Sequence, residues 1–258
     1  MQTFTLHLGS VPLLVSLPHD GSAIPDEISE HMLPAARRSP DTDWHVGRLY
    51  DFARDLGASI IKPHFSRYVV DLNRPSDGHA MYPGKRETGL VPTVMFSGEP
   101  IYRDGICIVA GEVARRVEGY WRPYHDALAE ELARLKRLHR HAVLWEGHSI
   151  RAEVPMLFQG RLPDLNLGTA DGNSCSKALA QRLVGVLESQ ADYSHVCNAR
   201  FKGGYITRHY GRAIEGVEAV QLEMVQACYM DEDSFAYLPE RAAKVQPVIR
   251  RLLEACLA

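Results

Sequence analysis

The chain has 258 residues, of which 45% are hydrophobic and 24% are charged, values that exclude a disordered or fibrous class. This length predicts one domain, spanning residues 1–258, with a core that needs neither disulfides nor a structural metal. The formal net charge of -3 provides no basic field for nucleic acid and no polybasic anchor for a membrane. We therefore expect small molecules as partners, whereas the sequence does not indicate an oligomeric state.

The cysteines and the N-terminus indicate a compartment. The five cysteines are widely spaced and include no Cys-x-x-Cys pair, which favours a reducing environment. Residues 1–7 alternate like a strand and lack the basic and apolar segments of a signal peptide. No run approaches the roughly 18 to 20 apolar residues that span a bilayer. We expect a cytoplasmic protein.

In chain order, the first 75 residues predict one strand, then one helix and then two further strands. An apolar strand over residues 11–17 ends at His19, and a proline-rich stretch then leads to Asp41-Thr42-Asp43. These residues are typical of a helix N-cap, and apolar residues at helical spacing predict a helix over 46–56 that ends at Gly57. Residues 58–61 and 68–72 predict two further strands.

Residues 75–105 hold too many glycines and prolines for regular elements. A loop of this length inside a compact domain is usually functional or disordered. Its apolar and aromatic residues argue against disorder, and we expect a lid or a pocket wall that includes Tyr82, Met95 and Phe96.

The remaining chain alternates helices with strands. We expect helices over 108–117, 121–139 and 174–190, an irregular stretch over 151–173, and a final helix from Pro239 with a kink at Pro247. Strands are expected over 142–148, 194–197, 205–208 and 217–223. This alternation predicts an α/β fold, a mixed central sheet with helices on both faces.

Three of these apolar strands end on side chains capable of metal chemistry: His19, His148 and Glu223. Ligands bind at the carboxyl ends of strands in open α/β sheets, so two imidazoles and a carboxylate are expected to converge at one sheet edge. A catalytic zinc ion takes three protein ligands and leaves one position for water. His19 and His148 are the leading candidate ligands. The alternative is that each is a loop histidine that only forms hydrogen bonds.

The third ligand is less well marked. Carboxypeptidase-like sites place a carboxylate three residues after the first histidine, where this chain has Ser22. The nearest carboxylates that an ordered element could hold are Asp41 and Asp43. We favour Asp43 as the ligand and Asp41 as the helix cap. The alternative makes Asp43 the N-cap, a role that needs no metal.

Glu223 is the candidate general base and acid, because an ionised carboxylate at the end of an apolar strand is costly to bury without a partner. The alternative is an ion pair with Arg208 or Arg212, which lie near it in the sequence.

The segment from Arg67 to Arg74 is the most specific motif. Two arginines and Asn73 flank an apolar run, and planar guanidinium groups can hold a carboxylate in a bidentate manner and polarise a carbonyl. A surface salt bridge is the alternative for either arginine alone.

A family resemblance rests on these residues. Arg67-Tyr68 with Asp71-Leu72-Asn73-Arg74 resembles a segment of aspartoacylases, with one residue fewer before Asn73, and its Asn-Arg pair resembles that of zinc carboxypeptidases. A closer resemblance, to the N-formylglutamate deformylase (N-formylglutamate amidohydrolase) family, spans nearly the whole chain. It rests on Pro18-His19-Asp20-Gly21, Glu146-Gly147-His148-Ser149 and the blocks at residues 41–45, 66–75, 162–168 and 202–211.

The resemblance implies a phosphorylase/hydrolase-like α/β fold and zinc-dependent hydrolysis of N-formyl-L-glutamate to formate and L-glutamate, as in histidine degradation. It implies His19 and His148 as zinc ligands and Glu223 as the catalytic glutamate. Asn73 and Arg74 match the carboxylate-binding pair, and Arg67 matches the arginine that polarises the carbonyl.

A dicarboxylate needs at least two cationic contacts. Arg74 is expected to bind one carboxylate and Arg208 the other, with Arg86 and Arg151 as reserves. One alternative is a zinc amidohydrolase for another N-acyl amino acid. A second is a protein without catalytic activity that binds acidic metabolites through its arginines.

Overall fold

Seven strands form one mixed sheet in the computed structural model, which describes residues 2–81 and 87–258. The strands are β1 (Phe4–His7), β2 (Leu13–Ser16), β3 (Ser59–Pro63), β4 (Ala142–Ile150), β5 (Leu165–Gly168), β6 (His195–Cys197) and β7 (Val217–Val225). Their order across the sheet is β1-β3-β2-β4-β7-β5-β6. β1 runs antiparallel to β3 and β5 runs antiparallel to β7, whereas the other neighbours are parallel. The predicted mixed sheet is thereby confirmed.

The α-helices of the described residues are α1 (Asp26–Ser29), α2 (Pro34–Arg37), α3 (Val46–Leu49), α4 (Ala110–Arg116), α5 (Arg122–His139), α6 (Lys177–Glu188), α7 (Tyr205–Tyr210) and α8 (Pro239–Leu257). A single π-helical turn, Val117–Trp121, joins α4 to α5. α8 continues through Pro247. Among the described residues, no helix is both long enough and apolar enough to cross a membrane.

Helices cover both faces of the sheet, as predicted. Successive side chains of a strand point to opposite faces, and in β2 Leu13 and Val15 pack with α6 and α8, while Leu14 packs with α5. β4 divides in the same way, with Trp145 on the first face and Leu144 on the second. The central strands are therefore buried on both sides, which explains their nearly continuous apolar sequence.

The predicted strand over residues 68–72 is wrong. The segment is buried but irregular, and side chains rather than a neighbouring strand bind its carbonyl groups. Arg116 donates to the carbonyl of Val69 at 3.2 Å, and His125 Nε2 bonds the carbonyl of Leu72 at 2.8 Å. An apolar run can thus be buried without joining the sheet when distant polar side chains bind its backbone.

The predicted strand over residues 205–208 is also wrong, because these residues form α7. Side chains from three other segments accept hydrogen bonds from its first N–H groups: Gln221 from Gly204, Asn73 from Ile206 and Glu146 from Thr207. These acceptors satisfy a helix start, whose N–H groups have no partners within the helix. The predicted irregular stretch over 151–173 contains a strand that the prediction missed, β5.

The helix predicted after Asp41 is shorter than expected. α3 ends at Leu49, and a 3-10 turn, Asp51–Arg54, follows. His45 precedes α3 in the left-handed region, with φ of 64°, and no side chain caps the helix. Neither Asp41 nor Asp43 is therefore its N-cap.

Candidate active site

β4 and β7 place four polar side chains on the same face of the sheet. The two strands are parallel and in register, with Glu146 opposite Gln221 and His148 opposite Glu223. Alternation along each strand turns these four residues toward the face that α5 and α7 cover. Both strands extend two residues beyond the predicted ends, so His148 and Glu223 lie within them rather than at their last positions.

A buried group of His19, Asp43 and His148 could hold a metal ion. One ligand atom from each residue lies within 4.8 Å of the others. His19 follows β2 by three residues, and its backbone carbonyl accepts a hydrogen bond from the amide of Asp43 at 3.0 Å. Asp43 Oδ2 lies 3.0 Å from His148 Nδ1 and 3.9 Å from His19 Nδ1. Two imidazole nitrogens and one carboxylate oxygen make a donor set that fits zinc.

Each histidine of this group is also bonded to a second carboxylate. His19 Nε2 lies 2.7 Å from Asp71 Oδ1, and His148 Nε2 lies 2.7 Å from Glu146 Oε1. A carboxylate only accepts, so each Nε2 carries a proton and each Nδ1 faces Asp43. Histidines that bind metals are commonly held in this way. This role of Asp71 and Glu146 was not predicted from the sequence, although Glu146 is two residues from His148 and therefore shares its side of β4.

The two histidines differ in charge. Burial, assisted by Arg67, lowers the pKa of His19, which favours a neutral ring whose Nδ1 can act as a ligand. Burial also acts to lower the pKa of His148, but Glu146 and Asp43 outweigh it and hold that pKa well above the usual value. In the metal-free molecule His148 is therefore protonated, and a metal ion would displace its Nδ1 proton.

Asp71 joins Arg67 to this group. Burial would raise the pKa of Asp71, but Arg67 and His19 together hold it well below its usual range. Asp71 Oδ2 accepts from Arg67 Nη2 at 2.6 Å. Within the described residues, the buried Nε of Arg67 has no hydrogen-bond partner, and the guanidinium lies over the Phe96 ring at 5.0 Å from its centre. Arg67 thus lines the cavity and keeps one donor without a partner among the described residues.

Asn73 is fixed by a hydrogen bond at its amide oxygen and lies against His148 at its amide nitrogen. Its Oδ1 accepts from the Ile206 amide at 2.9 Å, and its Nδ2 lies 3.1 Å from His148 Nε2. Gly204 passes so close that a Cβ built there would overlap the side-chain amide of Asn73. Only glycine fits this approach of α7 to the site.

Of the arginines that were predicted to bind substrate carboxylates and lie among the described residues, Arg74 lines the cavity and Arg208 and Arg151 do not. Arg74 lines the cavity, and its three nitrogens donate to the carbonyl and hydroxyl of Thr88 and to the carbonyl of Asn73. Arg208 is exposed and is not among the lining residues, and its Nε donates to the carbonyl of Gly203 at 2.9 Å. Arg151 bonds Asp233 at 2.7 Å instead of facing the cavity. Arg86 lies outside the described residues.

Glu223 lines the cavity without an arginine partner. No described residue donates a hydrogen bond to its carboxylate, and Arg212 lies 3.9 Å from Glu215 instead. Burial raises the pKa of Glu223 to about 8, and the positive charge of His148 only partly offsets this effect. A carboxyl group in this state can take up and release a proton near neutral pH.

The cavity around these groups is open to solvent at one side and encloses about 640 Å³ of space between atoms, part of it solvent at the mouth. Thr88 and Phe96 of the 75–105 segment line it, which confirms a pocket wall there. Met95 packs instead with Tyr68 and Ile101, and the predicted Tyr82 lies outside the described residues. Arg200 also lines the cavity. This position of Arg200 was not predicted, because no sequence motif marks the residue.

Residues 11–230 match the family model described as N-formylglutamate amidohydrolase. An N-formylglutamate deformylase of Pseudomonas putida is 48% identical over 258 residues, which cover 100% of this chain and 96% of that protein. One of Pseudomonas aeruginosa is 53% identical over 251 residues, covering 97% and 94%.

Two crystal structures share the fold. An N-formylglutamate amidohydrolase from Ralstonia eutropha is 25% identical, with a TM-score of 0.83, and the match covers 100% of this chain and 96% of that one. A gene product from Agrobacterium tumefaciens is 17% identical, with a TM-score of 0.76 and coverage of 99% and 95%. The second likeness concerns the fold alone.

Proposed function

The chain belongs to the N-formylglutamate amidohydrolase family, and from this membership we propose that it hydrolyses N-formyl-L-glutamate to formate and L-glutamate. The observation that carries the proposal is one cavity that brings together a metal-binding group, a proton-accepting carboxyl and cationic side chains. Metal-dependent hydrolysis of an amide with an acidic substrate uses all three.

The metal that we propose is zinc, held by His19, Asp43 and His148. The donor set supports this choice, as do Asp71 and Glu146, which orient the two rings from outside. Bound there, zinc would act as a Lewis acid on the formyl carbonyl and lower the pKa of a water molecule. Proton transfer and part of the charge stabilisation are carried out by the protein's own side chains.

Glu223 handles the protons in this proposal. Its carboxylate takes a proton from the attacking water as the water oxygen bonds to the formyl carbon. The C–N bond then breaks, and Glu223 returns the proton to the leaving amine nitrogen. Arg67, with its unused donor, stabilises the charge that develops on the formyl oxygen.

Asn73 and Arg74 are our proposed contacts for the α-carboxylate, since both line the cavity beside His148. Arg208 stays a prediction for the second carboxylate. Because Arg208 is exposed and does not line the cavity, another arginine must be tested beside it.

The decisive experiment measures formate release from N-formyl-L-glutamate with and without a chelator. We expect activity that the chelator abolishes and zinc restores, and a loss of about 10²- to 10⁴-fold in kcat for Glu223→Gln. Glu240→Gln, at an exposed glutamate of α8, is the matched control. A Glu223→Ala variant with full activity and bound zinc would refute the mechanism.

N-acetyl-L-glutamate separates this function from that of a related amidohydrolase. Phe96 limits the room at Arg67, so we expect slower turnover of the larger acyl group. Equal or faster turnover of the acetyl compound would favour the alternative enzyme. Binding without hydrolysis, with or without added zinc, would favour a protein that only binds acidic metabolites.

We also propose a cytoplasmic location. All five cysteines are free, and three of them, Cys175, Cys228 and Cys256, are buried as thiols. This usage fits a reducing compartment.

A further inference from the structure

Arg200 is a cation of the cavity that the proposed mechanism leaves without a role. It follows β6 and is half-buried, and its Nε donates to the carbonyl of Leu157 at 2.9 Å. Its guanidinium lies over the Phe201 ring, 5.1 Å from the ring centre. These two contacts fix the plane of the guanidinium on the wall of the cavity.

The outer edge of this guanidinium remains available. Among residues 2–81 and 87–258, neither Nη1 nor Nη2 of Arg200 has a hydrogen-bond acceptor or a carboxylate partner. Two parallel N–H groups on that edge are the geometry that binds a carboxylate in a bidentate manner. The apolar neighbours Leu157 and Phe201 would strengthen such a pair by excluding water.

The other two lining arginines are engaged near the metal-binding group. Arg67 bonds Asp71, which in turn bonds His19. Arg74 follows Asn73, and its nitrogens bond Thr88 and the Asn73 carbonyl. Glu87, next to Thr88 in the chain, adds a negative charge to the lining on that side. Among the described residues, no hydrogen bond or ion pair joins Arg200 to His19, Asp43 or His148, and its own contacts are with Leu157 and Phe201.

We propose that Arg200 binds the side-chain carboxylate of the substrate and so sets selectivity for N-formyl amino acids with an acidic side chain. This inference rests on the proposed function. N-formyl-L-glutamate carries two carboxylates, and one arginine near the reacting group can bind only one of them. Arg200 supplies the second bidentate site, at the position that distinguishes glutamate from a neutral residue of the same shape.

The test compares N-formyl-L-glutamate with N-formyl-L-glutamine, which has nearly the same shape but no side-chain charge. For Arg200→Gln we expect kcat/KM for the glutamate substrate to fall on the order of 100-fold, mostly through KM. The value for the glutamine substrate should change less than about threefold, so the selectivity ratio collapses. Arg200→Lys should recover part of the ratio, because it keeps the charge but loses the bidentate geometry.

Two other arginines provide the comparison. Arg161 bonds Asp164 and is exposed, so Arg161→Gln is the matched control and should leave both substrates unaffected. Arg208→Gln tests the alternative residue. If Arg208→Gln removes the selectivity and Arg200→Gln keeps it, the assignment to Arg200 is overturned.

Binding of glutarate separates this inference from the proposed function. Glutarate has two carboxylates and no formyl group, so calorimetry reports its affinity whether or not the protein hydrolyses anything. We expect Arg200→Gln to weaken glutarate binding on the order of 100-fold. A wild-type protein that cleaves N-formyl-L-glutamate, together with an Arg200→Gln variant of unchanged glutarate affinity and substrate ratio, would refute the inference alone. Absence of hydrolysis by the wild type would refute only the proposed function.

Discussion

Glu146 illustrates how a side chain without contact to substrate can control a site. It is fully buried, and one oxygen bonds His148 Nε2 while the other accepts from the amide and hydroxyl of Thr207. The ring of His148 is therefore held by a carboxylate that is itself held by α7. The orientation of this candidate ligand depends on the packing of α7 against β4.

We expect Glu146→Gln to weaken zinc binding about 10- to 100-fold, because the amide cannot supply the charge that supports the His148 ring. Competition with a chromophoric chelator measures the affinity. The matched control is Glu118→Gln, at an exposed glutamate paired with Arg122, which should bind zinc as the wild type does. An unchanged affinity in Glu146→Gln would show that the contact does not support the metal.

His125 is a buried histidine outside the cavity lining, and it makes stability depend on pH. Its Nε2 bonds the Leu72 carbonyl, its Nδ1 lies 2.9 Å from the Tyr210 hydroxyl, and its ring stacks on Trp121 at 3.7 Å. Burial lowers the pKa of His125 to about 3. An unfolded chain takes up this proton below about pH 6.5, whereas the folded chain does so only near pH 3. The stability that the neutral ring provides is thus complete above pH 6.5 and is lost as the pH falls.

Between pH 6.5 and pH 5 this single group should reduce the free energy of unfolding by about 2 kcal/mol. Urea unfolding at both pH values, with a chelator present to remove metal, measures this loss. The free energy of unfolding of His125→Gln should fall by about 2 kcal/mol less than that of the wild type. If the variant and the wild type lose the same free energy, the proton uptake lies elsewhere.

At the scale of elements, a short apolar run can either become a strand of the sheet or be buried outside it. Residues 13–16, 142–150 and 217–225 join the sheet, as their apolar runs predict, and these strands bring His148 and Glu223 side by side. Residues 68–72 show the same pattern but stay outside the sheet, since Arg116 and His125 bind their carbonyl groups. Those donors come from α4 and α5, 47 and 53 positions after the carbonyl groups that they bind, and no local pattern can reveal such a contact.

Some residues of the candidate site could be predicted from the local sequence, and others could not. His19, Asp43 and His148 could be predicted because their residue types, and their places near the ends of apolar runs or before a helix, are visible locally. Their convergence within 4.8 Å agrees with the predicted ligand set, although their role remains a proposal. Asp71, Glu146 and Arg200 depend on tertiary contacts. Of these, only Glu146 has a local signal, its alternation with His148.

We expect the start of α7 to be the part of the fold that tolerates an added side chain least well. Its Gly204 has no room for a side chain beside Asn73, so Gly204→Ala should cost about 1–3 kcal/mol and lower activity by displacing that amide. Gly185→Ala is the matched control, because Gly185 is exposed in α6 with open space around it, and it should add about 0.5–1 kcal/mol. Thermal unfolding and formate release measure both effects. Equal behaviour of the two variants would contradict the close approach.

At the scale of the whole molecule, the metal-binding group joins segments that are far apart in the chain. His19 and Asp43 precede β3, whereas His148 lies in β4, at the centre of the sheet. An ion bound by all three stabilises the folded state, because the unfolded chain does not assemble the site.

We expect zinc at about 100 times its Kd to add about 2.7 kcal/mol, or roughly 5–10 °C in Tm for a chain of this size. Differential scanning calorimetry with and without chelator measures the shift. Asp43→Asn should remove most of it, and a full shift in that variant would assign the ion to another place.

The register of β4 and β7 determines how the protein loses activity on heating and which of its parts can change during evolution. Nine consecutive residue pairs align the two strands, and a slip of one residue would turn Glu223 to the opposite face from His148. Such central strands open only when the whole fold opens. Heat should therefore destroy catalysis and structure in a single event. The segment that carries Arg200 is irregular by contrast, so inherited changes there can redirect substrate preference while the reacting pair stays in place.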